Sequence, residues 1–275
     1  MTHRGILKAV IFACWLLGGR TGAFGQSFPG GYIHTSPPGP EAISATEARE
    51  DYDQTNDAAK RELFRYLDEQ GGQDVEVPQA ADVQPAYWYE CPRQYRAAGD
   101  DRKAIYSLVA GHLTLADTLL ARNDPERRRV GLGIACHTAS CAIRTLNDHK
   151  LSVAICDQML LPNLDAADKE HWQPLNKIKV ICTAAYVYRI TNQTDKWVNA
   201  CRLRLDEAYG RNSADVARIK LAEALAARGD YEEAIVQLEG IDENGSLAGT
   251  RRLIPRYRQR IEERKQFNAG KKKNG

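Results

Sequence analysis

The chain has 275 residues, 43% hydrophobic and 27% charged, which suits one large or two small domains around an ordinary water-soluble core. That size excludes a small scaffold that depends on disulfides as its framework. The near-neutral total hides an asymmetry: residues 26–250 hold 25 basic and 34 acidic side chains, net −9, whereas residues 251–275 hold ten basic and two acidic, net +8.

The first 25 residues predict a cleavable signal peptide. His3, Arg4 and Lys8 make a basic start, Ile6 to Leu17 is mostly apolar, and Ala23-Phe24-Gly25 precedes Gln26 in a small-x-small pattern. The apolar run falls short of the roughly 20 residues that span a bilayer. Export to a periplasmic, envelope or extracellular space is expected, and it argues against a nucleic-acid partner. Residues 26–43, with Pro29, Pro37, Pro38 and Pro40, read as an extended tether. Residues 44–98 form an N-terminal helix and aromatic cap region. Ser44-Ala45-Thr46-Glu47 has capping-box spacing and predicts a helix to about Glu69, ended by Gly71-Gly72, with Ala59, Leu63 and Leu67 on its apolar side. Gln73 to Pro85 reads as a loop. Tyr87-Trp88-Tyr89 reads as an aromatic plug rather than a ligand platform, because aromatic side chains serve burial first.

From Asp101 the pattern is helical. Ile105, Leu108, His112, Leu115 and Leu119 form one stripe, and Asn123-Asp124-Pro125 stops that helix and caps the next. Val130, Ile134, His137 and Cys141 line the second helix. Asn147 to Lys150 turns into Leu151, Ala154 and Ile155. Asp165 is expected to cap a further segment, with Pro174 starting or kinking its main helix, whose face is Ile178, Ile181, Cys182, Ala185 and Tyr188. Trp197, Ala200, Cys201, Leu203 and Leu205 follow a turn at Asn192 to Asp195.

The clearest local pattern is Ala217 to Ile241. Leu221, Ala222 and Leu225 precede a Gly229-Asp230-Tyr231 turn, and Ala234, Ile235, Leu238 and Ile241 follow it, with small Ala222 and Ala234 where two backbones approach closely. The turn alanines 104, 154, 200 and 234 are spaced by 50, 46 and 34 residues. Residues 215–241 resemble one tetratricopeptide (TPR) unit, and residues 101–209 resemble looser versions of it. The resemblance implies an all-α fold: a right-handed superhelical stack of antiparallel helical hairpins over 99–249, because one hairpin cannot bury both faces. Residues 250–267 would close the stack with a capping helix, and 268–275 would be a basic disordered tail. The function it implies is binding of a protein or peptide partner in a concave groove, without catalysis. In the last unit, helical phase places Ile219, Glu223 and Ala226 on that groove.

No P-loop, GxGxxG, HExxH, GxSxG or paired CxxC occurs, and no cofactor is expected. In an antiparallel hairpin turning at Asp124, His112 lies level with Cys136 and His137, within about one turn or roughly 5 Å along the axis. Cys141 follows His137 by four residues. These four could hold a metal or form a Cys/His pair; the plainer expectation is histidines hydrogen-bonded within the core. His149 and His171 are expected at solvated positions. Six cysteines remain after leader removal: Cys91, Cys136, Cys141, Cys156, Cys182 and Cys201. An even count in an exported chain permits disulfides, whereas their helix-face positions suit inert buried thiols, and both readings stay open. The basic C-terminal segment suits a solvated helix end, with contact to an anionic surface as a structural envelope component second.

Overall fold

A computed structural model describes residues 43–44, 58–71, 76–78, 83–84, 86–168, 170 and 173–273. All belong to one compact unit, Pro40–Gly275. The predicted leader, most of the tether and residues 45–57 lie outside the described residues, as does His171.

The described chain is all-α apart from one two-residue pairing. Strand β1 (Ile43–Ser44) runs antiparallel to β2 (Glu76–Val77), with Ile43 opposite Val77. Ser44 is the strand partner of Glu76, the helix start expected after it lies outside the described residues, and the expected loop from Gln73 contains β2. The first described helix is α1 (Ala58–Gln70). A 3-10 turn at Tyr87–Tyr89 leads into α2 (Cys91–Ala97), which admits Pro92 in its first turn, where no N–H is needed. Then come α3 (Arg102–Leu120), α4 (Pro125–Arg144) and α5 (His149–Ile155). Helix α5 continues as a π-helical segment, Cys156–Leu160, in which the Leu161 N–H reaches back five residues to Cys156 O at 3.1 Å. After a 3-10 turn at Leu164–Ala166 follow α6 (Lys177–Ile190), α7 (Thr194–Asp206), α8 (Gly210–Arg228) and α9 (Tyr231–Glu239). A further 3-10 turn, Ala248–Leu253, feeds α10 (Ile254–Lys273).

Short polar side chains set the helix starts. Asp101 accepts from the Lys103 and Ala104 N–H groups, Asp124 from Glu126 and Arg127, Asp148 from Leu151, and Asn176 from Lys179. Each such cap contributes about 1 kcal/mol. Two expectations need correction here. Asp165 sits inside a 3-10 turn, and α6 begins at Lys177 under the Asn176 cap. Pro174 lies in the turn before that cap, where its missing N–H costs nothing, so it neither starts nor kinks the helix. The last helix continues past the expected Phe267 to Lys273. Gly229 ends α8 at φ +95°, with its own N–H and that of Asp230 both reaching Leu225 O at 2.9 Å; a side chain there would be strained.

Helices adjacent in sequence pack on one another: α3 on α4, α4 on α5, α6 on α7, α7 on α8, α8 on α9 and α9 on α10, while α1 lies on α3 and α6 also meets α4. The buried residues form two clusters. The larger runs from Leu63 to Ala200 and includes Leu67, Leu113, Leu132, Ile134, Leu151 and Tyr188. The smaller runs from Val198 to Ile254 and includes Leu221, Leu225, Ala234 and Leu238. Ala185 and Trp197 touch both. The stripe Ile105, His112, Leu115 and Leu119 is buried as its spacing requires, with Leu108 half-buried, whereas Leu203 on α7 is exposed. Two glycines let elements close: a Cβ on Gly131 would stand 2.7 Å from Ala116 O, and one on Gly133 would stand 1.9 Å from the Trp88 ring. Trp88 is buried over Gly133, as a plug should be.

Candidate functional site

Helices α2, α3 and α4 bring a polar network into the larger core. His112 is 2% exposed. Its Nδ1 lies 2.7 Å from the Tyr95 hydroxyl and its Nε2 lies 2.8 Å from Gln94 Oε1. The Tyr95 hydroxyl is in turn 3.0 Å from Thr138 Oγ1, which also donates to Ile134 O at 2.8 Å. Burial, helped by the nearby His137, pushes His112 down to about 4. The ring is therefore neutral, with Nε2–H donating to Gln94 and Nδ1 accepting the one Tyr95 proton. Tyr95 then bonds Thr138 only when the threonine turns its own proton from Ile134 O to the Tyr95 oxygen. Both nitrogens are occupied within the protein. This is a satisfied core histidine, and burial raises the Tyr95 hydroxyl well above its ordinary range.

The four residues that sequence spacing gathered are neighbours along α3 and α4 but face different ways. His137 is half-buried, with its ring edge toward Trp88 at 6.2 Å, and burial lowers it to about 4. Cys136 turns toward α6, where its thiol hydrogen-bonds Thr183, and burial pushes it up to about 12. Cys141 bonds Thr145 and is pushed up to about 11 by burial. These thiols are protonated at neutral pH and so are poor nucleophiles and poor ligands. No group of three or more His, Cys, Asp or Glu side chains placed to hold a metal occurs among the described residues.

The three residues that helical phase assigned to a groove stand together on α8. Ile219, Glu223 and Ala226 are all half-buried, at i, i+4 and i+7 on one face. Ile219 and Ala226 rest against the smaller core. Glu223 is 2.9 Å from Lys220 Nζ and lies near enough to Tyr257 on α10 to help raise its hydroxyl. The face is thus part apolar and part charged.

A cleft elsewhere in the structure escaped sequence reasoning. A cleft of about 450 Å³ opens between α1, α5 with its π-helical extension, and the turn at Thr191–Gln193. Glu62, Tyr66, Lys150, Asp157, Gln158 and Gln193 are among its walls. Lys150 Nζ sits 5.0 Å from the Tyr66 ring centre and 3.4 Å from Glu62. Asp157 accepts from the Tyr188 hydroxyl at 2.6 Å and pairs with Lys196. Next to the cleft residues Tyr66 and His149, Asp148 Oδ2 accepts from both Tyr66 (2.6 Å) and Tyr106 (2.8 Å), tying α1, α3 and the start of α5 together. The π-helical insertion shifts the register of everything after Ile155, and no periodicity in the sequence announces it.

No protein-family model, curated protein or solved structure matches the chain. Among the described residues no helix is long and apolar enough to cross a membrane.

Proposed function

We propose that the chain is an exported helical-repeat scaffold that holds a protein or peptide partner on the α8 face. In this reading α6–α7 and α8–α9 are antiparallel TPR-like hairpins, the earlier pairs are looser copies, and the stack coils right-handed so that Ile219, Glu223 and Ala226 line its concave side. The observation that carries the reading is that face itself. Three side chains at helical spacing are neither sealed in the core nor fully solvated, which is how a preformed peptide groove presents alternating apolar and charged contacts. The basic leader with its small-x-small site supports export. The pairwise packing of neighbouring helices supports repeat architecture. No catalytic step is assigned to any residue.

The test is capture from an envelope extract on the immobilised chain, followed by a salt wash, comparing wild type with Ile219→Glu/Ala226→Glu. A partner retained by wild type and lost by the double variant, at unchanged helicity, is expected. Because Ile219 rests on the core, Glu223→Lys serves as a second variant that leaves the packing alone. Equal recovery by wild type and both variants would refute the assignment of this face.

A further inference from the structure

We propose that Cys182 on α6 and Cys201 on α7 form a dithiol that closes to a disulfide across the α6–α7 seam when a small-molecule disulfide is present. All six described cysteines are free, and five are buried; Cys182 is the half-exposed one. Helices α6 and α7 pack side by side and are joined by three residues, Thr191–Gln193. Cys182 lies eight residues before the end of α6 and Cys201 seven residues after the start of α7. With a chain reversal at that link, the two stand level to within one residue, about 1.5 Å along the axis. This step rests on the antiparallel pairing proposed above, and a direct contact supports it separately. Arg204 on α7 reaches across the seam to the Cys182 sulfur, and Cys201 is one turn before Arg204 on the same face of α7.

The surroundings favour attack from Cys182. Burial raises both thiols, Cys201 to about 12, but Arg204 and Lys220 pull both the other way, and each lies close enough to act on both sulfurs. Cys182 has, in addition, a guanidinium against its sulfur and a solvent-facing side. The nearest rival pair, Cys136 and Cys156, is buried at both ends and has no guanidinium on either sulfur, so an external disulfide has no approach to it. The exchange balances in two steps. The Cys182 thiolate attacks one sulfur of the reagent, forms a mixed disulfide and expels one thiolate. Cys201 passes its proton to the first expelled thiolate as it attacks the Cys182 sulfur and expels the second, so two protein thiols are oxidised while one reagent disulfide is reduced to two thiols. Closure keeps the Cys182 sulfur in place but makes it a neutral disulfide sulfur, a weaker acceptor for Arg204 than a thiolate. The Arg204 Nε is buried without a hydrogen-bond partner, so the sulfur contact is made by the other end of the guanidinium alone.

The experiment treats the whole folded chain with oxidised glutathione, alkylates remaining thiols in denaturant and maps the tryptic peptides. The expected result is one cross-linked species joining Val180–Arg189 to Trp197–Arg202, with Cys91, Cys136, Cys141 and Cys156 recovered alkylated. Cys201→Ser should stop at the mixed disulfide on Cys182. If that variant does not fold, the wild-type map decides alone. A wild-type map in which Cys182 keeps its glutathione, in which both peptides are separately alkylated, or in which either thiol pairs elsewhere would overturn the proposal. The same map leaves the α8 partner face untouched, so failure here is distinguishable from failure of the proposed function.

Discussion

Acid should unfold this protein through His112, and the size of the effect follows from its burial. The ring is neutral in the fold at about 4 against an ordinary 6.5, because charging it would strip water from an imidazolium that has no room for it. A base whose folded pKa is depressed adds stability that is complete above its unfolded pKa and lost as pH falls toward the folded one. The window is therefore 6.5 down to 4. Between pH 7 and pH 5 the unfolded chain takes up about 0.7 of a proton here while the folded chain takes up about a tenth of one, which removes about 2 kcal/mol. His112→Gln abolishes that proton uptake at the cost of a fixed loss at all pH values. Urea unfolding followed by circular dichroism at pH 7 and pH 5 measures both. The gap between wild type and variant should narrow by about 2 kcal/mol at pH 5. His137 titrates in the same direction as His112, and Asp117, pushed up to about 6 by burial, in the opposite one, but both are present in the two proteins and largely cancel in the comparison. Parallel pH profiles for the two would refute the account of a desolvated neutral histidine.

Three further outcomes are expected. Gly133→Ala puts a methyl into the Trp88 indole and should cost about 3 kcal/mol in chemical unfolding; in Trp88→Ala the same change should cost much less, and equal costs in both backgrounds would show that the two residues are not coupled. Asp148→Ala leaves two tyrosine hydroxyls and the Leu151 N–H without their acceptor, so it should cost about 3 kcal/mol or more and speed amide exchange across Ala58–Gln70, whereas unchanged exchange there would separate α1 from this anchor. Trp197→Ala removes a side chain that packs on both core clusters, so urea unfolding should split into two transitions, with the α7–α10 end melting separately; a single cooperative transition would show one core.

The helices were readable wherever the sequence carried both an apolar period and an end signal. Asp124-Pro125 marks the α3–α4 turn and Gly229-Asp230 the α8–α9 turn, and the helices end there because an Asx cap and a left-handed glycine offer the backbone groups partners that other residues do not. Where only one signal was present the reading slipped. Asp165 has the right chemistry for a cap, but the chain around it bends back to bond Asp168 with Leu175, so the helix waits for Asn176. Helix-capping rules could not reveal that bond, which spans seven residues.

The site residues divide along the same physical line. Counting back from the Asp124 turn put His112 level with His137, and the two rings are near enough to act on each other, but spacing reports height along an axis and not the direction in which a side chain leaves it. Cys136 and His137 are adjacent in sequence and so point about 100° apart, one to Thr183 on α6 and the other toward Trp88. The partners that hold His112 neutral, Gln94 and Tyr95, come from a short helix whose seven residues carry too little periodicity to predict its docking. The cleft was hidden for a stronger reason. Its walls join residues nearly 90 apart, Glu62 with Lys150, and its shape depends on one extra residue in the turn after Ile155. That π turn carries Asp157 to Tyr188 and Lys196, and so adds ionic and hydroxyl contacts with α6 and α7 to the apolar packing of Cys156, Met159 and Leu160 in the larger core. A helix that spends a residue on such a bulge gives up regular hydrogen bonding, which makes the cleft a more costly arrangement than a plain helical pair and sets it apart from the rest of the seams.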